Sequence, residues 1–412
     1  MRHFSFSCQG ESHKLINKPC QDNSISYSEK GLSIAVICDG HGGDRYFRSD
    51  IGSRLCVNIT IELIKEFVCK IDKSLFVNKP FTQKKTIGES EVLEKLNDAD
   101  QALRHLFSSI IFKWNSEIEL HADANPPTEC EINKVNPDYI QTLINKVSLE
   151  KIYGCTLMAY VLTPDYWFAF HLGDGKCISF HEDESQIWKE PIPWDEKCFL
   201  NKTTSMCDSA ALDEFRYCYQ GNGDFPIAVF LGSDGMDDSF GTIENLVDFY
   251  MQIAKLLSQG NDDNAQKDIE ETLTILSKKG SQDDMSLACI YDIDRLKKFN
   301  YKILSYQIDC IEKQLMNVQC KIDILEDKVK TIENTENQKD IIELNYAIKD
   351  IERLTKTVII LKDRLNVRND ELKQLYPDRK TMNIPIIDKL KRRKRNLLKK
   401  RKKRKHRKDR NR

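Results

Sequence analysis

The fold prediction starts from residues 34–43, which read IAVICDGHGG. The β-branched apolar run from Ile34 to Cys38 predicts a buried strand. Asp39 follows where the strand meets a loop, and the glycines after it let the backbone approach a ligand closely. A carboxylate at a strand end beside His41 suits a hard divalent cation and a proton-transfer group. A plain turn with a capping aspartate is the alternative interpretation of this segment.

The chain has 412 residues, which is enough for two or three domains. It has no stretch of 18 apolar residues and no charged-then-apolar start typical of a signal peptide, so we expect a soluble, cytoplasmic protein without a transmembrane segment. Its 14 cysteines form no Cys-x-x-Cys pair. Structural zinc and a disulfide framework are therefore not indicated, and reduced thiols are expected.

A net charge of only −1 hides a strongly basic end. Residues 389–412 contain 17 Lys or Arg and one acid, which leaves 46 basic and 63 acidic side chains in the remainder. Such a segment is too charged to fold alone, so we expect a disordered basic tail over residues 377–412. It could bind nucleic acid or an anionic membrane, fold back on the acidic remainder, or remain solvated.

The hydrophobic pattern predicts helices and strands over most of the remaining chain. Helical spacing is found at Tyr46–Lys70, Ala99–Leu120, Tyr139–Lys151, Ile243–Gly260 and Ala265–Lys279. Strands are predicted at Cys155–Thr163, Tyr166–Leu172, Lys176–His181, Pro226–Leu231 and Met285–Tyr291. A further strand that begins near Asp22 could pair with Ile34–Cys38. Polar composition predicts irregular structure at 70–95 and 188–223.

Acidic residues recur at the ends of these predicted strands. They are Asp22, Asp39, Asp174, Asp234, Asp238 and Asp283. Each alone is readily explained as a surface turn, but clustered carboxylates repel one another unless a cation neutralises them. All-oxygen ligands favour Mg²⁺ or Mn²⁺ over zinc.

The order of these motifs resembles the metal-dependent protein phosphatase family, type 2C, and in particular its bacterial branch. The resemblance covers roughly residues 1–293 and rests on Gln21-Asp22, Asp39-Gly40-His41-Gly42-Gly43, Gly154-Cys155-Thr156, Gly173-Asp174-Gly175, Ser233-Asp234-Gly235-Met236-Asp237-Asp238 and Ser281-Gln282-Asp283-Asp284-Met285-Ser286. It implies an α+β fold, a β-sandwich of two antiparallel sheets flanked by helices, as a phosphatase domain over residues 1–296.

The resemblance also implies a serine/threonine phosphatase that acts on phosphoproteins through a metal-bridged water, without a phosphoenzyme. Asp39 would bridge two Mg²⁺ or Mn²⁺ ions, and His41 would protonate the leaving oxygen. The implied ligands are Asp22, Asp39, the Gly40 carbonyl through water, Asp234 and Asp283, with Asp174 and Asp238 at a third, weaker metal position.

One position departs from the family pattern. The family often carries an Arg five residues before the Asp of the Gln-Asp pair, where it holds the substrate phosphate, and this chain has Asn17 there. Lys14 or Lys18 could replace it as a point charge, and His13 is a third candidate.

After Asp294 apolar residues alternate spacings of four and three, first from Leu304 to Ile332 and again from Ile341 to Leu375. This heptad pattern predicts a coiled coil over residues 297–376, with a polar interruption at 333–337. An antiparallel helical hairpin and one long self-associating rod both fit the pattern, as would a partner helix. A second class of function is a degenerate phosphatase-like sensor or scaffold that binds partners or nucleic acid through this C-terminal region.

Overall fold

The structure is a computed structural model that describes residues 1–86, 96–133, 135, 149–183, 186–198, 202–223, 225–259, 262–332 and 338–377. The strands are β1 (Arg2–Cys8), β2 (Asn23–Glu29), β3 (Leu32–Cys38), β4 (Thr82–Lys85), β5 (Leu157–Leu162), β6 (Trp167–Leu172), β7 (Lys176–Phe180), β8 (Trp188–Lys189), β9 (Arg216–Gln220), β10 (Ala228–Gly232) and β11 (Met285–Tyr291).

The α-helices are α1 (Glu11–Leu15), α2 (Ser49–Lys70), α3 (Asp98–Ala124), α4 (Glu129–Ile132), α5 (Ala211–Glu214), α6 (Asp234–Phe240), α7 (Ile243–Ser258), α8 (Asp262–Lys279), α9 (Ile293–Ile332) and α10 (Gln338–Leu375). Residues Met1–Asn300 form one compact unit, and a second begins at Tyr301. Within the described residues, each helix is too short or too polar to span a bilayer.

The first unit is built on two antiparallel sheets. One has the strand order β2-β3-β5-β6-β9-β4, and the other has the order β1-β11-β10-β7-β8. The predicted pairing of the strand after Asp22 with Ile34–Cys38 is confirmed, since Asn23 lies opposite Cys38 and Tyr27 opposite Ile34. The predicted sandwich of two antiparallel sheets flanked by helices is therefore confirmed.

Strand β3 is apolar throughout because both of its faces are buried. Ile34 and Val36 point into the core formed with α2 and α3. Ala35 and Ile37 point into the core between the two sheets. Because side chains alternate across a strand, a run without polar residues marks a strand covered on both sides.

Helices α2 and α3 cover the outer face of the six-stranded sheet. Trp114 is fully buried, and its indole N–H donates to the Gly52 carbonyl at 2.9 Å. A side chain at Gly52 would lie 1.9 Å from the Tyr153 carbonyl oxygen, so α2 approaches that segment only with a glycine here. On the other sheet, Tyr250 of α7 stacks on Phe230 of β10 with ring centroids 5.1 Å apart.

Three predictions made from local pattern alone are wrong. The irregular segment 70–95 contains strand β4, which pairs with β9 at the edge of the six-stranded sheet. The irregular segment 188–223 contains β9 itself, which is largely buried. Both strands depend on a partner distant in sequence, and β4 consists of four polar residues, so neither has a local signal. Asp238 lies within helix α6 rather than at a strand end, whereas Asp234 follows the end of β10 as predicted and is the first residue of that helix.

The second unit contains most of α9 and all of α10. Helices are confirmed over the two heptad segments, and Tyr301 contacts Tyr376 with ring centroids 5.2 Å apart and ring planes at 81°. The first turns of this unit therefore lie beside the residue that follows α10. The predicted interruption at 333–337, residues 139–148 of the predicted helix Tyr139–Lys151 and the tail from residue 378 lie outside the described residues. The described end of that predicted helix belongs to a 3₁₀ helix over Leu149–Tyr153.

Candidate active site

A cavity of about 130 Å³ lies at the ends of β3 and β6 and at the start of α6. It is lined by His13, Asp22, Asp39, Gly40, His41, Gly42, Thr156, Asp174, Thr203, Asp234, Asp283 and Asp284. The structure thus brings together eight of the predicted site residues, which are His13, Asp22, Asp39, Gly40, His41, Asp174, Asp234 and Asp283. Asp238, Lys14 and Lys18 are not among the lining residues.

Asp39 is held by the start of the neighbouring strand. Its backbone N–H donates to the Thr156 hydroxyl at 3.0 Å, and its carbonyl accepts from the Thr156 N–H at 2.8 Å. Gly40 then forms a bridge to Cys155. A side chain at Gly40 would lie 2.5 Å from the Gln21 carbonyl oxygen, so this close packing of two site segments requires glycine.

Asp22 is positioned by its neighbour Gln21, which is buried. The Gln21 side-chain amide donates to the His41 carbonyl at 3.0 Å and also bonds the Ser49 hydroxyl. The Ser53 hydroxyl donates to the Gln21 carbonyl at 2.5 Å. These bonds from α2 fix the segment before β2, so that Asp22 lies beside the residues that follow β3.

Asp234 and Asp174 come from two different loop-and-helix connections. Asp234 is the first residue of α6, whose start is held on β11 by the Ser286 N–H donating to the Ser233 hydroxyl at 3.0 Å. Asp174 follows β6 and accepts a hydrogen bond from Thr203. The Thr203 contact had no signal in the sequence, because Thr203 belongs to an irregular segment.

The carboxylates destabilise one another as anions. Burial first, and then the charges of its neighbours, raise the pKa of Asp22 and of Asp39 well above the ordinary range. Burial also raises the pKa of Asp234, and it raises that of Asp174 to about 6. The carboxyl groups of Asp39 and Asp234 are close enough to share a hydrogen bond.

This donor set fits a bound cation. Asp22 is buried, and within the described structure its Oδ2 atom has no hydrogen-bond partner. A buried carboxylate oxygen without a partner costs free energy that a hard cation would recover. Clustered oxygen ligands of this kind match Mg²⁺ or Mn²⁺ rather than zinc.

Asp284 contributes to the site although the sequence did not single it out. It is buried, and it accepts the Gly10 and Gln21 backbone N–H groups at 2.6 Å each. Burial raises its pKa, but hydrogen bonds from His13, Gly10 and Gln21 outweigh burial and lower the pKa. Its neighbour Asp283 is exposed over half of its side chain and turns toward the same cavity. In the sequence, the second aspartate of the Ser-Gln-Asp-Asp motif could have indicated that Asp284 belongs to the site.

His41 is held by a serine that the sequence also missed. Its Nε2 lies 2.6 Å from the Ser205 hydroxyl, and the Tyr46 ring packs on it at 4.7 Å. The Ser205 hydroxyl lies 3.1 Å from the Cys155 carbonyl, to which it donates its single hydrogen, so we assign the proton of the shorter contact to Nε2 of His41. Burial lowers the pKa of His41 to about 4, with Arg45 and Lys151 adding to the effect against Asp208.

The three candidates for binding the substrate phosphate have different surroundings. The Nδ1 atom of His13 lies 2.9 Å from Asp284 Oδ2, so this imidazole is engaged with a carboxylate. Lys14 lies on α1 with its amine 3.9 Å from Glu11. The Lys18 amine donates to the carbonyl of Gly42, which lines the cavity, and is the cation of the three at the cavity rim.

Asp238 lies one helical turn after Asp234 and is exposed. It does not line the cavity, but its negative charge contributes to the raised pKa of Asp174 and of Asp234. Its place at a third metal position stays a prediction.

The comparison with protein families agrees with this site. A family model described as Protein phosphatase 2C matches residues 9–274. The chain belongs to the protein phosphatase 2C family. The enzyme class of this phosphatase is therefore that of the protein serine/threonine phosphatases, and its family is metal-dependent. The matched segment includes Asp22, Asp39, Asp174 and Asp234.

Solved structures similar to this phosphatase come from several bacteria. Serine/threonine phosphatase Stp1 from Staphylococcus aureus is 15% identical, with a TM-score of 0.41, and the match covers 71% of this chain and 95% of that chain. PppA, a key regulatory component of T6SS in Pseudomonas aeruginosa, is 16% identical with a TM-score of 0.40, covering 70% and 96%. The S. agalactiae serine/threonine phosphatase is 16% identical with a TM-score of 0.39, covering 70% and 98%. No curated protein matches the sequence.

Proposed function

We propose that this phosphatase hydrolyses phosphoserine and phosphothreonine in proteins, at the cavity around Asp39. The observation that carries the proposal is the convergence of Asp22, Asp39, Asp174 and Asp234 on one small cavity, with the pKa of each raised by burial. A fold that keeps such a costly cluster needs positive charge there, and a degenerate sensor would have no need for it.

Two divalent ions, Mg²⁺ or Mn²⁺, fit this cluster. Asp39 would contact both, with Asp22, Asp234, Asp283 and the Gly40 carbonyl as the remaining protein ligands. Asp174 and Asp238 would serve a third, weaker position. When bound, such ions supply an activated water near neutral pH and offset the charge of the phosphoryl oxygens.

His41 is proposed as the general acid for the leaving serine or threonine oxygen. Because Ser205 holds the proton of Nε2, the other ring nitrogen, Nδ1, is the atom that gains and delivers a proton. Within the described residues no group bonds Nδ1. A phosphate dianion beside the ring would raise the pKa of His41 again, since an opposite charge favours the protonated form.

Lys18 is proposed as the phosphate contact that replaces the family's Arg. Its amine bonds the carbonyl of Gly42, which lines the cavity, so the positive charge lies at the rim of the proposed phosphate site. A lysine supplies a single point charge and no bidentate fork, so binding of the phosphate is expected to be less directional than with Arg.

The C-terminal region is proposed to target the enzyme. The contact of Tyr301 with Tyr376 supports an antiparallel hairpin over residues 297–376, which could pair with a partner helix or a second copy. The tail of residues 377–412 is proposed to bind a polyanion such as nucleic acid. A cytoplasmic location stays a prediction from the sequence.

The test is hydrolysis of an aryl phosphate and of a phosphoserine peptide by the full chain with Mn²⁺. Asp39→Asn and Asp234→Asn should abolish both activities and leave the circular dichroism spectrum unchanged, because each removes charge from the cation cluster. Asp268→Asn, at an exposed carboxylate on α8, is the control and should retain activity. Undiminished turnover in both site variants would rule out the proposed metal ligands.

A further inference from the structure

Three cysteines that are distant in sequence meet in the core of the phosphatase domain. Cys38 ends β3, Cys56 lies on the inner face of α2, and Cys155 precedes β5. All three side chains are fully buried. Their sulfur atoms lie within 4.8 Å of one another, which the sequence spacing did not indicate.

The cluster borders the active site through the backbone. Cys38 is followed directly by Asp39, and Cys155 is the bridge partner of Gly40. Cys56 belongs to the helix whose Ser49 and Ser53 hold Gln21. Binding of an ion by the three sulfurs would therefore affect the position of the strand ends that carry the catalytic carboxylates.

The geometry suits an ion with three sulfur ligands. Metal–thiolate bonds of about 2.3 Å in a trigonal plane place the sulfurs roughly 4.0 Å apart, inside the observed limit. Among the described residues, no histidine, carboxylate or further cysteine joins the group as a fourth ligand. Zinc prefers four ligands in structural sites, so the triad fits zinc poorly.

The three thiols differ in how readily they lose a proton. Burial raises the pKa of the Cys56 thiol, but hydrogen bonds with Cys155, Cys38 and Thr60 outweigh burial and lower the pKa to about 5. Cys56 is therefore the sulfur most readily available as a thiolate, the form in which cysteine binds a metal.

Thr60 supplies an independent observation. Its side chain is fully buried one helical turn after Cys56, and it interacts with that thiol. Its hydroxyl otherwise has no hydrogen-bond partner of good geometry within the described residues. A hydroxyl aimed at a thiolate is a typical outer partner of a metal ligand.

We propose that Cys38, Cys56 and Cys155 form a three-sulfur site for Cu(I), a soft ion that thiolate ligands select. Binding displaces the thiol protons: each sulfur bonds the ion as a thiolate, and its H⁺ is released to solvent. The copper keeps its oxidation state, so the step needs no oxidant or reductant. This site is separate from the carboxylate cluster and does not depend on the proposed function.

The test uses the full chain under anaerobic conditions, after alkylation of its exposed thiols with iodoacetamide. Cu(I) is titrated against a chromophoric Cu(I) chelator, and X-ray absorption counts the sulfur neighbours of the bound ion. We expect one tightly bound ion per chain with three sulfur neighbours. Two or four sulfur neighbours, or no ion retained against the chelator, would overturn the proposal.

Variants locate the ion. Cys56→Ser should lower the affinity at least 100-fold, and Cys289→Ser, at a matched fully buried cysteine on β11, should leave it unchanged. Thr60→Val keeps the side-chain shape and should lower the affinity about 10–100-fold while three sulfur neighbours remain, as is usual for outer partners. If Cys56→Ser does not fold, the Thr60→Val measurement decides: an unchanged affinity there contradicts the site. Equal losses in Cys289→Ser would also contradict it.

Discussion

Replacement of Asp174 gives the most direct measure of the free-energy cost of holding several carboxylates together in the cavity. Burial and the charges of Asp234 and Asp238 raise the pKa of Asp174 from the ordinary 3.8 to about 6, against the stabilising hydrogen bond from Thr203. The difference between these values corresponds to about 3 kcal/mol, because one pKa unit is worth about 1.4 kcal/mol. Asp174→Asn removes that cost from the metal-free protein.

The sign of the pH dependence follows from proton binding. Below about pH 4 the carboxyl is protonated in both the folded and the unfolded chain, so Asp174 contributes no pH dependence there. Between about pH 4 and 6 the folded state retains a proton that the unfolded chain has released, so the free energy of unfolding falls as the pH rises. Above about pH 6 the full cost is present.

Urea unfolding in excess EDTA, followed by tryptophan fluorescence, measures this cost. The quantity compared is the free energy of unfolding of Asp174→Asn minus that of the wild type. This difference should be larger at pH 7.5 than at pH 4 by up to about 3 kcal/mol. Asp268→Asn should show no comparable change with pH. Excess Mn²⁺ should remove or reverse the advantage, because the wild type alone gains the full ligand set. A difference between the two chains that does not vary with pH would refute the reasoning.

The remaining predictions concern the proton donor, the phosphate contact and the tail. His41→Ala should lower turnover of a phosphoserine peptide by about 10²–10⁴ and that of an aryl phosphate far less, since a good leaving group needs no acid. Ser205→Ala should show the same preference between the substrates, and Ser205→Thr should restore turnover. Equal losses on both substrates would count against His41 as the general acid. Lys18→Ala should raise KM with little change in kcat, and Lys18→Arg should restore KM. Lys14→Ala should match the wild type. An unaltered KM in Lys18→Ala would contradict the assignment of Lys18 as the phosphate contact. In the full chain, RNA affinity should fall by roughly 10³–10⁵ between 50 and 200 mM salt for about 6–10 phosphate contacts. Deletion of residues 389–412 should abolish RNA binding and leave aryl phosphate turnover unchanged. RNA binding retained after the deletion would exclude the tail as the site.

Much of the fold was predictable because its central strands carry strong local signals. Strand β3 is apolar at every position from Ile34 to Cys38, and the Pro164-Asp165 hairpin and strand β11 were predicted close to their observed bounds. Most of the cavity carboxylates were predictable for a related reason, since Asp39 follows β3 directly and Asp174 follows β6 after one glycine. Strands β4 and β9 were not predicted, because their residues form strands through pairing across the sheet and not through local composition.

The sequence alone therefore determined which residues could serve the chemistry, and the tertiary structure decided which of them meet. Asp284, Thr203 and Ser205 join the site through contacts with residues more than twenty positions away, and no local pattern reports such contacts. Asp238 was predicted with the others, but it is exposed and does not line the cavity. The physical reason is that repulsion between carboxylates, the burial that raises their pKa, and the gathering of three sulfurs in the core all depend on distances through space, which only the packing of the two sheets and α2 sets.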